Sequence, residues 1–454
     1  MVIRRPKPAR PSIKPRIVLS RNQSRRDNQA PAANVPNVHR PPAQPQTPKI
    51  SYIVEKPICV SKTAAIILFI LGTLLLFATE FLRVYLIMPF PGSQQHDTVG
   101  LAWDIDHYRV TLRLLGLALV IYPLISYWQG RHKILLTCLI ILYAIIFYFF
   151  NFRFEADKMF YQPTSKIFAT AADNKIPLNK LVIGIMIDSI ARAYPIQVIG
   201  YHHQVRDIID EKPVMITYCT VCRTGRVFSP DLGGKLENFR LVGMDHFNAM
   251  FEDSTTKSWW QQATGASVAG PLKGHRLAEL PSQQLTLAEW LQLHPNSTIL
   301  QPDTIFKKQY DALALYDNGA IKGGLEHRDS ASWKPKSWVV GLRSGEFTKA
   351  YDWNDLVNQH LIQDTIGHAP ILLLLDNDST SFHAWYRRVQ NVSLTFTRLP
   401  DQPVLVDNTG AHWDLQGHCL DGRFKDQQLA SVQSYQEFWH SWSHFHPWTT
   451  QYKM

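Results

Sequence analysis

Three apolar runs early in the chain constrain its fold more than any other feature. Between Thr63 and Thr79 the sequence reads TAAIILFILGTLLLFAT, without a charge, and it continues through EFLRVYLIM. LLGLALVIYPLISYWQG begins at Leu114, and ILLTCLIILYAIIFYFFNF runs from Ile134 to Phe152. A helix needs roughly 20 apolar residues to cross a bilayer core about 30 Å thick, where unsatisfied backbone groups are costly. The runs therefore predict three N-terminal transmembrane helices, over about 62–88, 112–130 and 134–152, within a membrane anchor of residues 58–153. Glu80 and Arg83 lie one helical turn apart and are placed to pair. Pro123 is the one expected kink, and no polar stripe marks a transport path.

Charge orients these helices. Residues 1–57 hold twelve Lys or Arg against two acids, Asp27 and Glu55, which accounts for the whole net charge of +10. They also hold eleven of the 28 prolines and few large apolar side chains. Such a segment cannot bury enough surface to offset chain entropy, so a disordered, basic, Pro-rich cytoplasmic tail is expected. Arg131, His132 and Lys133 separate the second and third runs, whereas PFPGSQQHDTVGLAWDIDHY, between the first two, carries three acids and no Lys or Arg. The positive-inside rule then keeps the amino terminus in the cytoplasm. Everything after Arg153 is delivered to the periplasmic or extracellular side of a cytoplasmic (inner) membrane, with the lipid bilayer as the assigned partner. Beyond the tail, 35 basic residues face 35 acidic ones, which argues against a nucleic-acid partner.

The remaining 300 residues or so compare with themselves at an offset close to 157. LVIGIMIDSIARAYPIQ from Leu181 aligns with WVVGLRSGEFTKAYDWN from Trp338, and KPVMITY aligns with APILLLL. Farther on, WQQATGASVAGPLKG from Trp260 aligns with WDLQGHCLDGRFKD from Trp413, and LAEWLQLHP with WHSWSHFHP. Self-similarity in constant order predicts one structural unit used twice, in halves 155–300 and 301–454. Each half opens with β-branched runs bounded by Gly, Pro and Asp and closes with a helical pattern, so the expected fold is α+β and strand-rich, with an internal duplication. Positions kept in both halves, such as His294 with His446 and His203 with His360, are expected to serve the fold.

Residues present in one half only are better candidates for chemistry. MITYCTVCRTGRVF, residues 215–228, places Cys219 three residues before Cys222, and the second half has Asp376 and Ser379 opposite them. A Cys-x-x-Cys turn brings two sulfurs together, and thiolates favour copper(I) or zinc over hard cations. His202, opposite Gln359, is the nearest third ligand in sequence; His246 follows, and Met244 and Met250 add thioethers. The expected metal set is Cys219, Cys222 and His202, holding copper or zinc. The same cysteines could instead form a redox pair exchanging disulfides, with Arg223 and Arg226 supplying charge. A third alternative is a binding module whose groove uses Trp259, Trp260, Gln261, Gln262 and His246, the cysteines being a staple. Haem attachment would need a His where Arg223 stands. His440 and His444, four apart near Glu437, have a metal-gripping spacing of their own, while the paired carboxylates Asp376 and Asp378 are explained by a strand-to-turn transition as well as by catalysis. Neither a Gly-x-Ser-x-Gly nor a phosphate-binding loop occurs, and no catalytic residue is assigned.

The run ARAYPIQVIGYHHQVRDIIDEKPVMITYCTVCRTGRVF, followed by MFEDSTTKSWWQQATGASVAGPLKGHRLAELP, resembles the domain of unknown function 3179 family, whose members are often secreted or membrane-anchored. The resemblance spans about residues 180–450 and is sharpest in the first half. His202, Cys219 and Cys222 fall on the family's His and two Cys, and Trp260, Gln261, Gly265 and Gly270 on its Trp-Gln and Gly positions. His203, Arg206 and Thr220 stand where the family pattern has Glu, Asn and Pro. The resemblance implies a shared site and names no activity.

Overall fold

The computed structural model describes residues 60–128, 130–399 and 402–453; the basic tail and Cys59 lie outside the described residues. Three helices are long and apolar enough to cross a membrane, Lys62–Tyr85, Arg109–Trp128 and Lys133–Phe152, close to the expected spans. Ser61 caps the first by accepting the Ala64 N–H at 3.2 Å. Gly72 and Gly116 let the first two helices approach: a Cβ on Gly72 would lie 2.8 Å from the Gly116 carbonyl oxygen. The connection between them contains a further short helix, Val99–His107. Its sequence, VGLAWDIDH, is too short and polar to register in a search for apolar runs.

Charges at one end of these helices neutralise one another. Arg113 donates to both carboxylate oxygens of the buried Glu80 at 2.6 and 2.7 Å, and Asn151 adds a bond at 2.8 Å. The expected Glu80–Arg83 pair is the weaker contact, at 3.8 Å. Arg83 instead reaches Glu155 at 2.8 Å and Asp106 at 3.2 Å. Such groups are tolerated at membrane depth only when paired inside the bundle.

Beyond Phe152 the chain mixes short helices with seven small sheets among the described residues. One series of elements occurs at two places. Strands Leu181–Ile187 and Ile190–Pro195 lead into helix Ile196–His202, then strands Gln204–Ile209, Lys212–Cys219 and Thr224–Phe228. Strands Trp338–Ser344 and Phe347–Asp352 lead into helix Trp353–Gln359, then strands Leu361–Ile366, Ala369–Leu375 and Phe382–Tyr386. Details recur with the order. Tyr194 donates to Asp207 at 2.6 Å and Tyr351 to Asp364 at 2.9 Å. His203 and His360 both end a helix at φ 58°. Gly184 and Gly341 lie beneath the rings of Trp290 and Trp442, where a Cβ would collide, and His294 and His446 rest on those rings at 4.1 and 3.9 Å.

The closing helices connect the two series. Strand Gln283–Thr286 pairs with Leu181–Ile187, but the Thr286 N–H at the start of helix Leu287–Leu293 donates to Ser381 Oγ at 2.9 Å, in the turn of the second series. Strand Gln433–Phe438 pairs with Trp338–Ser344, yet the Phe438 N–H before helix Trp439–Phe445 donates to the Cys222 carbonyl at 3.0 Å, in the turn of the first. Gln284 and Gln436, from the two closing strands, bond each other at 3.0 Å. Each hairpin turn is thus covered by a helix that closes the other series. Phe306, Tyr310 and Tyr316, just past residue 300, pack into the first core with Tyr201 and Tyr218.

Candidate functional site

The cysteine turn joins strands Lys212–Cys219 and Thr224–Phe228, with Cys219 paired to Thr224. Alternating apolar residues Val214, Ile216 and Tyr218 commit one face of the hairpin to the core, while Met215 and Cys219 fall on the opposite face. Both sulfurs are fully buried, in an apolar cluster with Trp260, Val84, Met88 and Phe150, so the site is packed against residues at the ends of the long helices.

Both thiols donate to a single carbonyl, that of Phe247, at 3.5 Å from Cys219 and 3.3 Å from Cys222. That carbonyl belongs to a two-residue turn, His246–Phe247, between strands Phe239–Asp245 and Asn248–Asp253, and both turn residues have positive φ, 47° and 66°. Such turns favour Gly and Asn. Two non-Gly residues held there are strained, a condition that persists only where surrounding contacts impose it. Here Gln94 accepts the Phe247 N–H at 3.2 Å and Asp245 binds His246 Nδ1 at 2.6 Å.

A histidine remote in sequence approaches one of the two sulfurs. His440 Nδ1 is 2.9 Å from the Pro335 carbonyl, and its Nε2 is 3.7 Å from Cys222 Sγ. A carbonyl only accepts, so Nδ1 carries the proton and Nε2 presents a lone pair to the thiol. Burial, helped by the charge of Lys336, pushes this imidazole down to about 4, which keeps it neutral. The two thiols differ. Burial works against a Cys219 thiolate but is outweighed by the Cys222 thiol, the Ala249 and Cys222 backbone amides and Lys336, so Cys219 lies below the usual thiol range. Cys222 is raised well above it by burial and by the hydrogen bond and charge of Cys219. Of the two, Cys219 is therefore the thiol that gives up its proton first. Lys336, itself lowered by burial, is fixed beside the turn by the Val221 carbonyl at 2.6 Å.

The other residues singled out in the sequence lie elsewhere. His202 bonds the Tyr161 carbonyl at 2.5 Å and the Tyr310 hydroxyl at 2.6 Å, so both ring nitrogens are engaged, away from the sulfurs. Trp259, Trp260 and Gln262 are sealed in the interior rather than lining an open groove. The indoles donate to Glu252 and Asp253 at 3.0 Å, Gln262 donates to Thr217 at 3.0 Å, and Gln261 is tied to Asp245. Met244 joins the cysteine cluster, whereas Met250 packs with Trp259 in another. His246 stacks on His444 with ring centres 3.8 Å apart, and its bond to Asp245 raises its pKa. His440 and His444 thus point to different partners instead of sharing an ion, and Glu437 is paired with Arg226. Spacing drew attention to His440 but could not connect it to a cysteine 218 positions earlier.

Two thiols, one neutral imidazole and one carbonyl make a set of donors suited to soft cations or to dithiol chemistry. The class defined so far is a protein with three helices long and apolar enough for a membrane, joined to a mixed α and β region with a buried cysteine pair. Within that class, residues 162–449 match the family described as protein of unknown function (DUF3179), and the chain belongs to it. No curated protein and no solved structure matches the chain.

Proposed function

We propose that this is a membrane-anchored protein with its amino terminus in the cytoplasm and a duplicated α+β region on the outer side. Its centre binds one soft transition-metal ion, copper(I) or zinc(II), through Cys219, Cys222 and His440. The observation that carries the reading is the proton placement at His440. With Nδ1–H held by the Pro335 carbonyl at 2.9 Å, the Nε2 lone pair faces Cys222. Metal-binding histidines are oriented by this kind of backbone bond. His440 takes the place first given to His202, and Cys219, the more acidic of the two thiols, is the readier source of the thiolate that metal binding requires.

The split between the thiols favours a second reading, disulfide exchange with Cys219 attacking and Cys222 resolving. Against it, neither sulfur is exposed to a protein substrate. The test is elemental analysis and thiol titration of the full chain in detergent, purified without chelator. The expected result is near-stoichiometric copper or zinc that disappears in Cys219→Ser/Cys222→Ser, falls in His440→Ala and persists in His202→Ala. Metal content indifferent to the cysteines would end the metal reading, and a metal-free protein that interconverts dithiol and disulfide would replace it with the second.

A further inference from the structure

Among the described residues, one group of His, Cys, Asp and Glu side chains brings three donor atoms all within 4.8 Å of one another: Glu289, Asp376 and His383. None of its members was selected as a ligand from the sequence. Glu289 comes from helix Leu287–Leu293, Asp376 directly follows strand Ala369–Leu375, and His383 lies on strand Phe382–Tyr386. All three are buried.

Their bonding is incomplete. His383 Nε2 lies 3.7 Å from Asp376 Oδ2 and 3.9 Å from Glu289 Oε1. Both separations exceed a hydrogen bond, and neither His383 Nε2 nor Asp376 Oδ2 has a hydrogen-bond partner among the described residues. Orphaned polar atoms in an interior are costly, and an imidazole facing two carboxylates would ordinarily close to a direct bond. The gap is instead near the spacing of ligands on one metal, since donors about 2.1 Å from a tetrahedral ion stand about 3.4 Å apart.

The surrounding bonds orient the donors. Gln416 donates to Glu289 Oε1 at 3.0 Å, the Asn377 N–H to Asp376 Oδ1 at 2.6 Å, and the His383 ring is stacked on Trp385 at 5.2 Å. Thr286, the cap of the Glu289 helix, donates to Asp378 at 2.8 Å, locking that helix to the turn carrying Asp376. A cavity of about 630 Å³ borders the group, lined by His383, Gln416 and Trp385 together with Trp290 and His294.

We infer that Glu289, Asp376 and His383 bind one divalent cation of the oxygen- and nitrogen-preferring class, zinc, manganese or iron(II), at the wall of this cavity. The set contains no sulfur, so it discriminates against copper(I). It is independent of the cysteine centre and would stand if that reading fell.

The probe is Mn²⁺, which thiolates hold poorly, titrated into the unaltered full chain in detergent and followed by loss of the free-ion paramagnetic resonance signal, with Co²⁺ in parallel. One ion should bind. His383→Gln and Asp376→Asn should weaken it by roughly 10–100-fold, whereas Cys219→Ser and His294→Gln leave it unchanged. Should the site variants fail to fold, the Co²⁺ spectrum of the unaltered chain decides: visible d–d bands from an ion held without sulfur, persisting in Cys219→Ser, support the site. Absence of both Mn²⁺ and Co²⁺ binding, or equal affinity in folded His383→Gln, would overturn it.

Discussion

The turns at 219–224 and 376–381 occupy corresponding places in the two series, and strand register makes the correspondence residue by residue. Cys219 pairs with Thr224, and the Asp376 N–H donates to Ser381 at 2.9 Å. Two residues past Thr224 and Ser381 come Arg226 in one and His383 in the other. A helix from the opposite series covers each, bringing His440 and Ser441 to the cysteines and Glu289 to Asp376. The charge, however, is handled differently. Each guanidinium nitrogen of Arg226 has a partner: the side chain is paired with Glu437, bonded to the Ala263 and Gly225 carbonyls at 3.1 and 2.8 Å and stacked over Tyr435 at 3.4 Å. His383 Nε2 has no hydrogen-bond partner among the described residues. One turn closes its polar balance internally and leaves two sulfurs as its chemistry, while the other leaves a polar gap.

The sharpest way to break the comparison is to remove the two corresponding side chains. Arg226→Met strands Glu437 in the interior, and losing one partner of a buried pair costs about 3–5 kcal/mol. His383→Ala in metal-free protein removes a side chain whose Nε2 makes no bond, so its cost should be about 1–2 kcal/mol, mostly lost packing against Trp385. Urea unfolding in detergent, followed by Trp fluorescence, measures both. Equal losses would mean that the second turn is as fully bonded as the first.

How much of this was legible in the sequence depends on the range of the interactions. The long helices were, because an apolar run is a local property, and Cys219 with Cys222 likewise, because three residues of spacing suffice. His440 drew notice only for its spacing from His444, and Asp376 as the counterpart of Cys219 and one of two carboxylates that a turn explains as well as catalysis. Glu289 and His383 carried no signal, since Glu289, Asp376 and His383 converge only when a closing helix crosses to the other series. The short helix Val99–His107 and the strained His246–Phe247 turn escaped for a related reason: tertiary contacts hold them, and propensity does not announce them.

A second experiment asks where the two series should behave alike. Gly184 and Gly341 each face the ring of a closing-helix Trp at a distance that admits no Cβ. Gly→Ala at either should therefore cost about 1–3 kcal/mol by overpacking, and by nearly the same amount at both sites. Matched losses would locate the difference between the series in the turns alone; a large mismatch would show that the scaffolds themselves have diverged.

The last expected effect is a pH dependence to which the cysteine side contributes. Burial lowers His440 and His203 to about 4 each, so both are neutral when folded, whereas the unfolded chain titrates near the ordinary histidine value of about 6.5. Below that value the unfolded state binds more protons, so stability is full above about pH 6.5 and declines as pH falls toward 4. Ala288 stands where the first closing helix corresponds to His440, so that helix has no matching group. His440→Gln should flatten part of the decline and His203→Asn another part, measured as urea midpoints between pH 7 and 4.5. If His440→Gln left the slope intact, the imidazole would titrate in the folded protein as it does in the unfolded chain. Its Nε2 would then take up a proton as freely as in water, and the buried, neutral nitrogen assigned to the first turn would be lost from the donor set.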